Sequence, residues 1–166
     1  MTHACELAQL NIACPRAALD EPVMAEFMAN LDRINALAET MPGFVWRLQD
    51  ASGNATAIES PFGEGVIVNL TLWRSVEALR LFTYKTEHAG FVRRRKEWFG
   101  ELDGPHLVLW WVPAGHRPGL AEAKARLEHL AAHGPTPRAF IFSRAFDAAG
   151  LPLRRGPVAA RRGNAA

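Results

Sequence analysis

The apolar positions of this chain follow two periods, one typical of β-strands and one typical of α-helices. Residues 6–13 alternate, with Ala8, Leu10 and Ile12 on one side, which predicts a strand. Residues 23–41 carry an apolar side chain every three or four positions, which predicts an amphipathic helix. The Met-Pro-Gly sequence that follows ends this helix, because proline and glycine disfavour its continuation.

The rest of the chain alternates strands and helices in the same way. Ser75 is placed to cap one helix and Thr86 to cap another, so we expect a break near residues 84–86. The strongest strand signal is at residues 66–73, which are rich in β-branched side chains. The remaining predicted elements are strands at 44–49, 106–113 and 139–142 and helices at 75–100 and 120–133.

The order strand-helix-strand occurs twice, and this doubled βαβ unit predicts an α+β, ferredoxin-like domain. Its four main strands form an antiparallel sheet, with the first and third strands in the centre and helices on one face. The other face needs cover. A homodimer supplies that cover when two sheets stack across a two-fold axis. We therefore predict a dimeric α/β barrel, with one domain over residues 1–147.

Composition and charge narrow the classes of partner. The chain has 166 residues, 49% of them apolar, which suits one globular domain. Residues 151–166 carry four arginines and no acid, and removing them changes the formal net charge from +2 to −2. The basic character therefore belongs to the C-terminus. We expect a disordered basic tail at residues 148–166 and no nucleic-acid partner for the folded body.

The chain shows neither an apolar run of membrane-spanning length nor a charged N-terminus followed by an apolar stretch. Cys5 and Cys14 lack both CxxC and metal-ligand spacing. These observations predict a cytoplasmic protein with reduced thiols and without a membrane partner.

A predicted helical face in the second half combines apolar residues with two residues capable of chemistry. Its members are His88, Phe91, Val92, Arg95, Trp98, Phe99 and Leu102. His88 can act as a general acid or base, or ligate a metal or haem. Alternatively, it is a core histidine satisfied by a backbone carbonyl. Arg95 is expected to turn inward, where it pairs an acid or holds an anionic substrate group.

The central strands carry polar side chains on one face. Gln9 and Asn11 on the first strand and Asn69 and Thr71 on the third line it together. The set forms either a hydrogen-bonded dimer interface or a polar patch in a ligand cavity.

The two candidate sets compete for one site. If the helices cover the apolar face of residues 66–72, His88 lies on that side, and Asn11 and Asn69 face away from it. Trp73, at a strand end, is able to border either side.

Several blocks of the chain together resemble the DUF3291 family, a domain of unknown function, over roughly residues 7–146. They read AQLNIA, PGFVWRLQD, VNLTLWRSVEALRLF, EHAGFVRRRKEWF, LWWVPAGHRP and LEHLAAHGPTPRAFIF. That family resembles the dimeric α/β-barrel superfamily of antibiotic-biosynthesis and haem-degrading monooxygenases. The shared pattern is a strand ending in Trp73, then Ser75, then Glu-Ala-Leu, and later His88.

The resemblance implies an enzyme that oxygenates, isomerises or cyclises a small apolar or aromatic molecule. His88 and Arg95 would be catalytic. The resemblance implies substrate contacts from Asn11, Asn69, Trp73, Phe91 and Trp98. A non-catalytic dimeric ligand-binding protein is the alternative.

The resemblance also bears on the cofactor. Haem-degrading members use an Asn on the first strand, which Asn11 matches. The position of their helical Trp is Phe82 here, and His88 comes a turn before the position of their haem ligand. We therefore expect no cofactor, with haem as the alternative.

Overall fold

The computed structural model describes residues 4–154, which form one antiparallel sheet with four α-helices. The strands are β1 (Cys5–Ala13), β2 (Phe44–Arg47), β3 (Ile67–Trp73) and β4 (Leu107–Pro113). The helices are α1 (Ala25–Thr40), α2 (Val76–Lys85), α3 (His88–Arg94) and α4 (Leu120–His133), with 3-10 turns at Pro22–Met24 and Arg95–Glu97.

The strand order is β2-β3-β1-β4, and every neighbouring pair is antiparallel. This order confirms the predicted α+β, ferredoxin-like plan with β1 and β3 in the centre. In the β1–β3 pairing, Gln9 lies opposite Thr71 and Asn11 opposite Asn69. Their side chains therefore share one face of the sheet.

The sheet has two covered faces. We call one the α4 face: it carries Leu10, Leu70 and Trp110, which are buried against Leu127 and Leu130 of α4. Part of the β2–β3 loop adds further cover through Ala55 and Phe62. The cover that we assigned to a second copy thus comes from the same chain, and α4 places a helix on the face that we had expected to be free of helices.

The opposite face, which we call the Trp73 face, carries Leu7, Trp73 and Leu109, and packs against Ala38 of α1 and Phe82 of α2. Gln9 and Thr71 lie on the same face. The expectation that the first helices cover the Val68/Leu70 side is therefore wrong.

The physical reason is a second apolar surface. Leu7, Trp73 and Leu109 give the mixed face enough apolar area to bind α1 and α2. The uniformly apolar face of residues 66–72 is matched instead by the apolar stripe of α4.

The helix between β3 and β4 begins and breaks as predicted. Ser75 Oγ accepts a hydrogen bond of 3.1 Å from the Ala78 N–H, which caps α2. α2 ends at Lys85 and α3 begins at His88. None of the helices between residues 4 and 154 has the length and hydrophobicity that a membrane span requires.

The segment after α4 differs from its prediction. Instead of a strand at 139–142, Phe140 makes a single bridge to Leu109, with two backbone hydrogen bonds of 2.8 Å. Residues 147–153 then turn back, and the Leu153 N–H donates to the Ala145 carbonyl. The predicted domain end at 147 is too early, because Leu153 packs against the core of the Trp73 face. Residues 155–166 of the predicted tail lie outside the described residues.

Candidate functional site

Trp73 is the centre of the Trp73 face and is fully buried. The Phe44 ring meets it edge-on at a centroid distance of 5.3 Å. On its other side, the Phe82 ring stacks on it at 5.3 Å with an interplanar angle of 25°. These contacts fix the indole ring, since aromatic pairs prefer edge-to-face or offset-stacked geometry.

A chain of hydrogen bonds leads from Trp73 across the two central strands. Its indole Nε1–H donates to Thr71 Oγ1 over 2.9 Å. The Thr71 hydroxyl lies 2.7 Å from Gln9 Oε1. All three residues are buried. Their polar groups are shielded from water, and these hydrogen bonds supply the partners that they would otherwise lack.

His88 lies at the start of α3 and stacks on the other side of Phe82. The two ring centroids are 4.6 Å apart, with an interplanar angle of 26°. His88 Nδ1 lies 3.3 Å from the Thr83 carbonyl oxygen. A carbonyl oxygen only accepts, so in the neutral ring Nδ1 carries the proton and Nε2 holds the lone pair.

The environment keeps the ring neutral. Burial lowers the pKa of His88 below its ordinary value, and the hydrogen bond to the Thr83 carbonyl opposes this shift. A neutral imidazole with an unprotonated Nε2 is the form that accepts a proton.

Nε2 of His88 and Nε2 of Gln9 have no hydrogen-bond partner among residues 4–154. Within the same residues, every side-chain nitrogen or oxygen that is sealed from solvent has a partner. Both atoms therefore border accessible space. Both atoms are therefore free to meet a ligand.

Exposure rises along the Trp73 face in one direction. On β3, Trp73 and Thr71 are buried and Asn69 is exposed; on β1, Gln9 is buried and Asn11 is half-buried. The helices therefore seal the face near Trp73 and leave it open at Asn11 and Asn69. Gln9 and Thr71 lie at the boundary between sealed and open surface.

Asn11, Asn69, Trp73 and His88 thus belong to the same side of the sheet. The two asparagines were expected to face away from His88 if the helices cover the Val68/Leu70 face. That condition is not met, because α1 and α2 cover the Trp73 face.

Arg95 does not turn inward as expected. It is exposed, and its guanidinium Nη1 lies 3.0 Å from His106 Nε2. α3 ends at Arg94, and Arg95 begins a 3-10 turn. The helical spacing that placed Arg95 below His88 is therefore interrupted between them.

Trp98 and Phe91 pack against each other. Their ring centroids are 5.8 Å apart, and Trp98 lies 6.3 Å from the Phe27 ring of α1. Trp98 is only 2% exposed, which suits an anchor between α3 and α1, while Phe91 is half-buried. The Arg94 guanidinium covers the outer side of the Trp98 ring at 5.0 Å.

The sequence placed Gln9 and Thr71 in a polar set that lines either a dimer interface or a ligand cavity, and it did not point to Thr83. Gln9 and Thr71 carried a signal, since polar residues on a central strand need a partner. The Thr83 carbonyl had no such signal, because its contact with His88 depends on how the chain bends between α2 and α3.

Two clefts lie away from these residues. One of about 830 Å³ is bordered by residues 14–19 and 56–67. The other, of about 460 Å³, lies between residues 59–61 and α4. Neither is lined by His88. Residues 4–154 contain no group of three or more His, Cys, Asp or Glu side chains arranged to hold a metal ion.

The family model of DUF3291, a domain of unknown function, matches residues 6–155. No curated protein matches the sequence. Among solved structures, the chain is similar to a protein of unknown function from Nitrosomonas europaea, NE2512, with a TM-score of 0.45 and 12% identity over 71% of this chain and 99% of that one. It is also similar to SnoaB, a cofactor-independent oxygenase from Streptomyces nogalater, with a TM-score of 0.42 and 19% identity over 72% of this chain and 100% of that one.

Proposed function

We propose that this chain, which belongs to the DUF3291 family, is an enzyme that removes a proton from a small apolar or aromatic molecule. His88 is its general base. The substrate lies on the open part of the Trp73 face, where Asn11, Asn69 and Phe91 contact it and the Trp73 ring fixes the wall of the site.

The observation that carries this proposal is the state of the His88 ring. Nδ1 lies against the Thr83 carbonyl, so the lone pair is on Nε2, and that atom borders accessible space. Burial lowers the pKa of His88, so the ring is neutral at pH 7 and ready to accept a proton.

Proton removal is a first step common to the three reactions that the resemblance implies. Oxygenation of a phenol, isomerisation of a ketone and cyclisation of a diketone each begin when a base takes a proton from carbon or oxygen. The electron pair then spreads over the substrate. This step requires a base and an apolar pocket, and we propose that it uses no cofactor.

The test follows proton removal directly. Purified protein is mixed in D₂O with cyclic 1,3-diketones and with phenols activated at ring carbon, and NMR measures the exchange of their C–H groups. We expect faster exchange with the wild type than with His88→Gln. His133→Gln is the matched control, because His133 is exposed on α4. Equal exchange by the wild type and His88→Gln would sink the proposal.

A second candidate function is non-catalytic ligand binding, which the position of the clefts favours: the two clefts of about 460 and 830 Å³ lie away from His88. Native mass spectrometry of the purified chain measures whether a small molecule co-purifies. A ligand retained equally by the wild type and His88→Gln, without any exchange activity, would support this second function.

A further inference from the structure

Gln9 is more than nine-tenths buried, with 7% of the residue's surface exposed. It lies on β1, opposite Thr71 of β3, in the middle of the sheet. Its oxygen has a partner in Thr71, but its nitrogen has none among residues 4–154. A buried amide is rarely left half-satisfied, because an unpaired polar group costs free energy.

The hydrogen bonds determine which way this amide points. The Trp73 indole is only a donor, so Thr71 Oγ1 must accept from it. The single hydroxyl proton of Thr71 is then free to donate to Gln9. The atom that receives it must be the carboxamide oxygen, which leaves the two N–H groups of Gln9 directed away from Thr71.

The free N–H groups occupy a defined place on the Trp73 face. Gln9 lies where sealed core gives way to the open surface of Asn11 and Asn69. Because no sealed side-chain nitrogen among residues 4–154 lacks a partner, this one borders accessible space. The surroundings are otherwise the apolar residues Leu7, Trp73 and Leu109. A fixed N–H donor in such a setting suits an oxygen acceptor on an apolar molecule.

We propose, resting on the proton-transfer function above, that the Gln9 carboxamide binds a carbonyl, enol or phenol oxygen of the substrate and selects molecules that carry one. When His88 Nε2 takes the substrate proton, the electron pair of the broken bond stays on the substrate and delocalises onto that oxygen. One Gln9 N–H then donates to an atom with increased negative charge, which strengthens that hydrogen bond. Thr71 and Trp73 are positioning residues, because they fix the amide and do not touch the substrate.

The test compares probes of nearly equal shape. 2-Naphthol and 2-methylnaphthalene differ in a hydroxyl and a methyl group, and calorimetry measures the affinity of each without any reaction. We expect the wild type to prefer 2-naphthol by about tenfold, the effect of one good hydrogen bond. Gln9→Leu should remove this preference.

Two further variants separate orientation from folding. Thr71→Val keeps the shape but removes the hydroxyl, so the amide loses its fixed direction and the preference should fall. Thr71→Ser retains the hydroxyl and should keep it. Equal affinity of the wild type for the two probes, a preference that survives Gln9→Leu, or no binding of either probe would overturn the assignment.

These results are distinguishable from a failure of the proton-transfer function. Recognition of the oxygen is measured as affinity, and His88→Gln should retain most of it. Loss of C–H exchange with a preserved preference for 2-naphthol would remove His88 as the base and leave Gln9 as the oxygen-binding residue.

Discussion

The imidazole ring of His88 stacks on the phenyl ring of Phe82, with centroids 4.6 Å apart and an interplanar angle of 26°. Phe82 also stacks on Trp73, so three rings form one column from the sheet to α3. The proposed base is therefore held by the same aromatic contacts that build the core of the Trp73 face.

Phe82 is expected to control the protonation of His88. In Phe82→Leu, the lost ring lets water approach the imidazole, so the lowered pKa of His88 should rise towards its ordinary value. NMR titration of the histidine ring protons measures this. Phe44→Leu is the matched control, because Phe44 contacts the Trp73 ring but has no ring contact with His88. Similar shifts in both variants would contradict a direct effect of the stack.

Protonation of His88 should destabilise the fold at acidic pH. Its pKa is lowered in the folded state, so below about pH 6.5, the ordinary value, the unfolded state binds more protons. The loss of unfolding free energy caused by His88 is absent above that pH, grows as the pH falls towards the pKa of the folded state and then levels off. Urea unfolding between pH 5 and 8 should therefore show a weaker pH dependence for His88→Gln.

The control for that experiment must account for other histidines. Burial also lowers the pKa of His106, with a further contribution from the Arg95 charge. The pKa of His129 is lowered as well, again mainly by desolvation. Their effects remain in the variant, so the difference between wild type and His88→Gln reports His88 alone. An unchanged pH dependence would mean that His88 titrates alike in both states.

Trp98 should contribute far more to stability than the ion pairs above it. Trp98→Ala removes a buried ring between Phe27 and Phe91, which should cost about 3–5 kcal/mol of unfolding free energy. Arg94→Gln breaks exposed pairs with Glu26 and Glu97 and should leave stability close to that of the wild type. Urea unfolding measures both, and a reversed order would contradict the assignment of Trp98 as an anchor.

Haemin should not bind through His88. The resemblance to haem-degrading monooxygenases implies that Phe82 stands where they have a tryptophan, and Phe82 is packed between Trp73 and His88. When haemin is mixed with the wild type, we expect either no Soret shift or a shift that His88→Ala retains. A shift present in the wild type and lost in that variant would make His88 a haem ligand and would replace the cofactor-free proposal.

The homodimer stays a prediction. α4 and the β2–β3 loop already bury the face through which two sheets would stack. A dimer of that kind would require α4 to move, and its formation should therefore be sensitive to changes in α4. Native mass spectrometry of the wild type and Leu127→Asp measures this. Dimers of equal stability in both would indicate contact through another surface.

The periodic pattern of apolar residues was sufficient to predict most strands and helices, because each of them has its own apolar spacing or capping residue. Residues 120–133 of α4 were predicted with the observed bounds, and the break before His88 followed from its capping residues. β1 and β3 were placed in the centre correctly, since the doubled βαβ order determines it.

The sides of the sheet could not be predicted from alternation alone. Residues 66–72 alternate apolar side chains with Asn69 and Thr71, which suggested that the first helices pack on the apolar side. That interpretation ignored α4, which competes for the same surface. Gln9 and, through its stack on Phe82, His88 lie on the face that α1 and α2 cover, while α4 covers the other. The prediction that Arg95 turns inward was wrong for a more local reason, the 3-10 turn that follows Arg94.

The bridge between Phe140 and Leu109 has a consequence for how the chain avoids association with copies of itself. β4 is an outer strand, and its free backbone groups would otherwise recruit a strand from another chain. At the opposite border, β2 has four residues and an irregular register between Phe44 and Trp46. Phe140 occupies the outer edge of β4, and β2 at the other edge of the sheet is too short and irregular to serve as a template for another strand. A chain truncated before Ala139 should therefore aggregate even where its core still forms.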